Sequence, residues 1–233
     1  LLYQVTHDLV KEHSKRGHFL PHDEYAECVG MSESSFFEKI IRDYGLHDIT
    51  PEKLVALREE KYLAKLEKIE SGRLVKPGFK NLLKMLCEAK LKLAVYSNAS
   101  KQRVEKTLEY VDLSPFFNQM ISANESGMEG KPSPLMLKKI LHDQHLKPEN
   151  CIVVESSLIG MKAALAAGCY CALLVHDYSG PKLVQRKGVK QLPNAQKLLS
   201  WFKKLLNVCP DIGNRTSVSK KEWKKQLQSW NVI

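Results

Sequence analysis

The sequence predicts an α/β protein, with a parallel sheet flanked by helices and an all-helical segment in front of it. Three observations carry this. Up to about residue 70 the apolar residues recur at helical spacing, with no strand-like run between them. From about Pro77 onward, short β-rich runs alternate with helices of roughly ten residues, the pattern of βαβ crossovers in a parallel sheet. The length, 233 residues with 43% hydrophobic and 27% charged side chains, supports one large domain or two small ones and excludes disordered and collagen-like classes.

Leu2, Val5, Leu9 and Val10 share one helix face. Phe36, Phe37, Ile40 and Ile41 share another, after Ser32 and Ser34, either of which suits an N-cap. Thr50 caps a third helix with Pro51 in its first position; Leu54, Leu57, Tyr62, Leu66 and Ile69 carry it to Ser71-Gly72. A helix from Asn81 to Lys90 then leads into a strand from Leu91 to Tyr96, which ends at Ser97-Asn98. There follow a helix from Lys101 to Val111, a short strand from Gln119 to Ser122, and a loop with Gly127, Gly130 and Lys131. A helix from Leu135 to His145, an apolar strand from Cys151 to Val154, a helix from Leu158 to Ala167 closed by Gly168, and a strand from Tyr170 to Val175 complete the series.

The balance of 36 basic and 26 acidic side chains gives a net charge of +10. A lysine-rich solvated surface accounts for it, and no aromatic-interleaved basic motif supports nucleic-acid binding. No apolar run approaches the roughly 18 residues of a membrane span. The first ten residues lack the basic-then-apolar order of a secretory signal, and Leu1 is not expected to be where translation starts. The cysteines are scattered without a CxxC pair, so buried free thiols in a reducing compartment, cytoplasm or an organelle matrix, are expected.

In parallel sheets ligands sit beyond the carboxyl ends of the strands. Three such tips carry chemistry. Ser97 and Asn98 offer a hydroxyl, an amide and backbone N–H groups where a helix begins, which makes an anion cradle or a plain N-cap. Lys131 sits in Gly130-Lys131-Pro132-Ser133-Pro134, a cation held by a proline-stiffened loop. Glu155 ends a buried apolar strand, where a carboxylate suits either a hard cation such as Mg²⁺ or the dipole of the next helix.

These stretches together resemble the haloacid dehalogenase-like superfamily, close to its β-phosphoglucomutase-like phosphatase branch. LAVYSNAS resembles the second motif, GKPSP the third and CIVVESSLIGMKAALAAG the fourth. Pro77-Gly78 is similar to the return from cap to core, and VGMSES around Gly30 to the substrate-facing stretch of a helical cap. The resemblance covers the chain to about residue 205. It implies a Rossmann-like core at 75–206 behind a helical cap at 1–74, acting as a phosphatase or phosphomutase on a small phosphorylated metabolite through an aspartyl-phosphate. Ser97, Asn98 and Lys131 would hold the phosphoryl group, Lys131 would neutralise developing charge, and Glu155 would belong to the Mg²⁺ shell.

Two departures bear on activity. The family's nucleophilic aspartate lies in an opening strand, apolar-Asp-x-Asp-Gly, and by alignment Leu1 falls just after it; a truncated or missing segment is the favoured explanation. The fourth motif's Glu-Asp-Ser reads Glu155-Ser156-Ser157, and a neutral serine is a poor ligand for a hard dication, so the metal site is expected to be degenerate and Mg²⁺ binding weak or absent. The alternative function is then a catalytically inactive relative kept as a binding or scaffold subunit of a larger assembly. In the cap, Glu33 falls where sugar-phosphate relatives often carry a basic residue. Arg58 is the remaining basic candidate there, although an exposed helix charge is the favoured reading of it.

At 207–233 the composition shifts to a basic extension. Ser219 and Glu222 form a capping box, and Trp223, Leu227 and Trp230 line one helix face opposite four lysines. That face packs on the parent domain, docks a protein partner or lies on an anionic membrane surface.

Overall fold

The structure, a computed structural model, describes residues 1–14, 17–123, 127–175 and 186–208. The tail helix with Trp223, Leu227 and Trp230 lies outside the described residues, as does Cys209.

The first part is helical throughout: α1 (Leu2–His13), α2 (His22–Cys28), α3 (Glu33–Tyr44), α4 (Pro51–Leu66) and the single turn α5 (Ser71–Leu74). Local chemistry sets the boundaries. Ser32 is the N-cap of α3, its side chain accepting from the Ser35 N–H, and Gly45 ends that helix in the left-handed region. Thr50 caps α4 through the Lys53 N–H. The helix stops at Leu66, short of the expected Ser71-Gly72, which instead belong to α5. Val10, Leu20, Tyr25, Phe36, Phe37, Ile40 and Leu54 close a core of their own, with edge-on aromatic contacts between Tyr25 and Phe36 and between Phe36 and Phe37.

From Gly78 the chain is α/β: α6 (Phe79–Glu88), β1 (Ala94–Ser97), α7 (Lys101–Tyr110), β2 (Gln119–Ser122), α8 (Leu135–Asp143), β3 (Ile152–Glu155), α9 (Leu158–Ala166), β4 (Tyr170–Leu174), β5 (Val189–Leu192) and α10 (Ala195–Val208). Every pairing is parallel, β1 with β2 and β3 with β4 with β5. Alternate residues of β4 serve opposite layers. Ala172 packs with Leu82, Leu86, Leu198, Trp201 and Phe202 of α6 and α10, whereas Cys171 and Leu173 pack with Leu137 and Leu141 of α8 and Met161 and Ala164 of α9.

The expected single sheet is found as two, in the order β1-β2 and β3-β4-β5. Among the described residues, β1 has β2 and β3 has β4 as sole strand partners, so one backbone edge of each is without a strand. Val154, in the middle of β3, is 36% exposed. No helix of the described residues is long and apolar enough to cross a membrane.

Candidate active site

The carboxyl ends of β1 and β3 and the loop before α8 meet. Asn98, next after β1, turns its side-chain amide onto the peptide of Lys131. Its Oδ1 accepts from the Lys131 N–H at 2.7 Å, and its Nδ2 donates to the Lys131 carbonyl at 3.1 Å. The same Nδ2 donates to the Gly30 carbonyl at 2.8 Å, which brings the VGMSES stretch of the helical part onto the strand tips. A Cβ at Gly130 would press on the Asn98 amide, so the residue before the lysine must be bare. Asn98 therefore works through its side chain as a clamp on the lysine loop. Its neighbour Ser97 accepts the Ala99 N–H at Oγ over 3.0 Å, which leaves the hydroxyl proton to donate.

Held in this way, Lys131 lies 2.6 Å from Glu155 Oε1, with Nζ 4.1 Å from the centre of the Tyr96 ring. The two side chains are 14% and 7% exposed, so the pair is desolvated and its Coulombic attraction is little screened. Glu155 Oε2 receives the Ser156 N–H at 3.2 Å and the Ser157 hydroxyl at 3.4 Å. Ser157 in turn caps α9 through the Gly160 N–H. The carboxylate thus lies over the first turn of α9, where the helix dipole favours negative charge. Gly160 makes the space, because a Cβ there would overlap all the carboxylate atoms. The Tyr96 hydroxyl is buried close to the Glu155 carboxylate. Burial first, and then the Glu155 charge, push its pKa up, so it is a neutral phenol.

Beside these tips runs a buried ionic seam. Arg58 is 4% exposed, which overturns the exposed-charge reading. Its Nη2 lies 2.7 Å from Glu33 Oε1, and its guanidinium stacks over the rings of Phe37 and Phe36, 4.5 and 5.1 Å from their centres. Arg103 of α7 also donates to Glu33 Oε1, and it reaches Glu59 Oε2 at 3.0 Å. Ser100, the N-cap of α7, donates to Glu59 Oε1 at 2.5 Å. Glu33, in the place expected of a phosphate-reading cation, is a carboxylate shared by two arginines from opposite sides of the seam. Burial lowers the Arg58 pKa, against the opposing pull of Glu33.

The expectation of buried thiols fails at Cys87, which is exposed on α6. It follows Leu86 on the flank of the apolar face, where its Sγ reaches the Phe116 carbonyl at 3.9 Å. Nothing in the sequence singles out Tyr96, Arg103 or Glu59. The one legible signal for the Glu155 shelf is the small pair Ser157 and Gly160 three positions apart.

A Mg²⁺ shell needs about six hard oxygen ligands in a near-octahedral set. The described residues bring one carboxylate here, with one oxygen on Lys131 and the other on Ser156 and Ser157, beside the neutral Ser156. No group of three His, Cys, Asp or Glu is placed to hold a metal among the described residues. This donor set does not fit Mg²⁺ as it stands.

The family model for haloacid dehalogenase-like hydrolases matches residues 1–174, and the chain belongs to that family. It is 26% identical over 131 residues to the phosphorylated carbohydrates phosphatase of Thermotoga maritima, covering 56% of this chain and 60% of the relative. It is 30% identical over 103 residues to a phosphoglycolate phosphatase of Aliivibrio fischeri, covering 44% and 45%. The chain spans less than two thirds of the length of these relatives. In fold it is similar to the CbbY crystal structure from Rhodobacter sphaeroides in complex with phosphate, with a TM-score of 0.71 and 19% identity over 84% of this chain and 89% of the other. It is also similar to a β-phosphoglucomutase structure from Clostridium difficile, with a TM-score of 0.68 and 19% identity over 88% and 89%.

Proposed function

We propose that the protein is a phosphomonoester hydrolase of the aspartyl-phosphate type, acting on a small phosphorylated metabolite. The observation that carries this is the grip of Asn98 on the Lys131 backbone, which fixes the lysine loop against the end of β1, where Ser97 stands. Two of the curated relatives that resemble the chain are a phosphorylated carbohydrates phosphatase and a phosphoglycolate phosphatase. In this reading residues 1–74 are the cap and 75–206 the core. The Ser97 hydroxyl donates to a phosphoryl oxygen, Lys131 offsets the charge that develops on the phosphoryl group, and Glu155 with the Tyr96 ring holds the ammonium in place. A carboxylate attacks phosphorus as the ester bond breaks, the departing alkoxide takes a proton, and water then cleaves the acyl phosphate. The reading requires that carboxylate from an Asp-x-Asp strand, and β1 and β3 each have one edge without a strand partner among the described residues.

A second reading has one observation in its favour. With Ser156 neutral and Glu155 tied to Lys131, the fourth-motif tip does not supply a dication shell, as expected of an inactive relative that retains the fold for binding.

The two are separated by p-nitrophenyl phosphate hydrolysis with and without Mg²⁺. Residues 1–233 are expected to turn over little. A version extended by the coding sequence upstream of Leu1 is expected to gain hydrolysis if that sequence carries Asp-x-Asp, to gain more on Ser156→Asp, and to lose it on Lys131→Ala. Robust turnover by residues 1–233, abolished by Lys131→Ala, would overturn the assigned nucleophile. An extended, Asp-x-Asp-bearing chain that stays inert even with Ser156→Asp supports the second reading.

A further inference from the structure

We propose that Cys151 and Cys169 are a peroxide-sensing thiol pair that closes into a reversible disulfide at the entry ends of β3 and β4. The register carries it. Ile152 is paired with Tyr170, and one step earlier Cys151 stands opposite Cys169, with the Tyr170 N–H donating to the Cys151 carbonyl at 3.2 Å. Register partners in a parallel pair present their side chains to the same face, and strands about 4.8 Å apart put such partners inside the Cα separation a disulfide spans. Both cysteines pack into the apolar cluster of Leu137, Leu141 and Met161. Cys171, two residues on, faces Val153 in the register and has no opposing sulfur. Cys28 is on α2 in the helical part, and Cys87 is on α6, which packs on the opposite face of β4, with its Sγ at the Phe116 carbonyl.

The two thiols are not equivalent. Cys151 is half-buried at the sheet margin, and Cys169 is 4% exposed. The hydrogen bond with Cys169 pulls the Cys151 thiol down, and the same contact together with burial pushes Cys169 up. Cys151, the more exposed of the two, is thus the attacking sulfur. Its thiolate attacks hydrogen peroxide, the O–O bond breaks, and Cys151 becomes a sulfenic acid as hydroxide leaves and takes up the proton that Cys151 had released. The Cys169 sulfur then attacks that sulfur, the S–O bond breaks, and the departing hydroxide takes the Cys169 proton, so that two thiols and one peroxide give one disulfide and two waters. In a reducing compartment the bond is transient and is returned by thiol exchange. Glu155 lies at the opposite end of β3, so closure staples the sheet without touching the strand tips.

The test treats reduced full-length chain with hydrogen peroxide, blocks remaining thiols with N-ethylmaleimide and maps linked peptides without reduction, alongside a thermal melt. A Cys151–Cys169 link is expected, reversed by dithiothreitol, absent in Cys151→Ser and Cys169→Ala, and retained in Cys171→Ala and Cys87→Ser. The oxidised form should melt about 5 °C higher. Accumulation of unlinked, over-oxidised Cys151, a link that survives Cys169→Ala by moving to Cys171, or a melt lowered by oxidation would each overturn it.

Discussion

Asn98 holds the peptide of Lys131 at both its N–H and its carbonyl, at 2.7 and 3.1 Å, across 33 positions of sequence. An asparagine directly after a strand reads as a ligand or a cap, but here it is the fastening of a loop. Its replacement should act through the lysine. Asn98→Ala takes this partner from the Lys131 N–H and from the Lys131 and Gly30 carbonyls, a loss of about 1–3 kcal/mol in urea unfolding. Orthophosphate affinity, read by calorimetry, should fall with it. Asn98→Asp keeps the Oδ1 contact but turns a carboxylate oxygen onto the Lys131 and Gly30 carbonyls, so it should lose at least as much as Asn98→Ala.

Gly160 offers a test in which two effects have opposite sign. Alanine in a helix interior is favoured over glycine by about 1 kcal/mol. At this position its Cβ would overlap the Glu155 carboxylate, so the carboxylate must leave its shelf and Lys131 must lose its partner. Gly160→Ala should therefore lower the melting temperature and weaken phosphate binding. A rise in melting temperature with binding unchanged would show that Glu155 does not rest there.

Arg103 joins the helical part to α7 through Glu33 and Glu59, all with side chains at most 15% exposed. Arg103→Ala should leave two buried carboxylates under-compensated and cost about 3–5 kcal/mol. The loss should exceed that of cutting the exposed Lys61–Glu12 pair by Lys61→Ala, for which well under 1 kcal/mol is expected. Limited proteolysis should also speed up at the joining segment around Lys76-Pro77 in Arg103→Ala alone.

Thiol reactivity should follow burial. Burial, with the Glu155 charge adding to it, pushes Cys171 up to about 12, so it stays a thiol near neutral pH. Iodoacetamide on the native reduced chain should modify Cys87 first and leave Cys171 intact, with Cys171 labelling appearing only on unfolding or at strongly alkaline pH.

Much of this was legible from sequence where a local signal exists. The strand Gln119–Ser122 has its expected bounds, and the tips at Ser97, Lys131 and Glu155 follow from alternation of element types alone. What is missing locally was invisible. β5 has only Val189 and Leu192 as apolar residues, too sparse to mark an edge strand. Arg58 sits on a helix rich in charge, and its burial depends on Glu33, Phe36 and Phe37 of another helix, 21 to 25 positions earlier. The two-sheet arrangement depends on which edges meet, and periodicity does not report that.

The most direct measurement is a crystal of the chain soaked with tungstate, a tetrahedral phosphate mimic of high electron density. The account expects one ion at the strand tips, with oxygens within hydrogen-bonding distance of both Ser97 Oγ and Lys131 Nζ. An ion bound elsewhere, or touching one of these groups while the other points away, would contradict it.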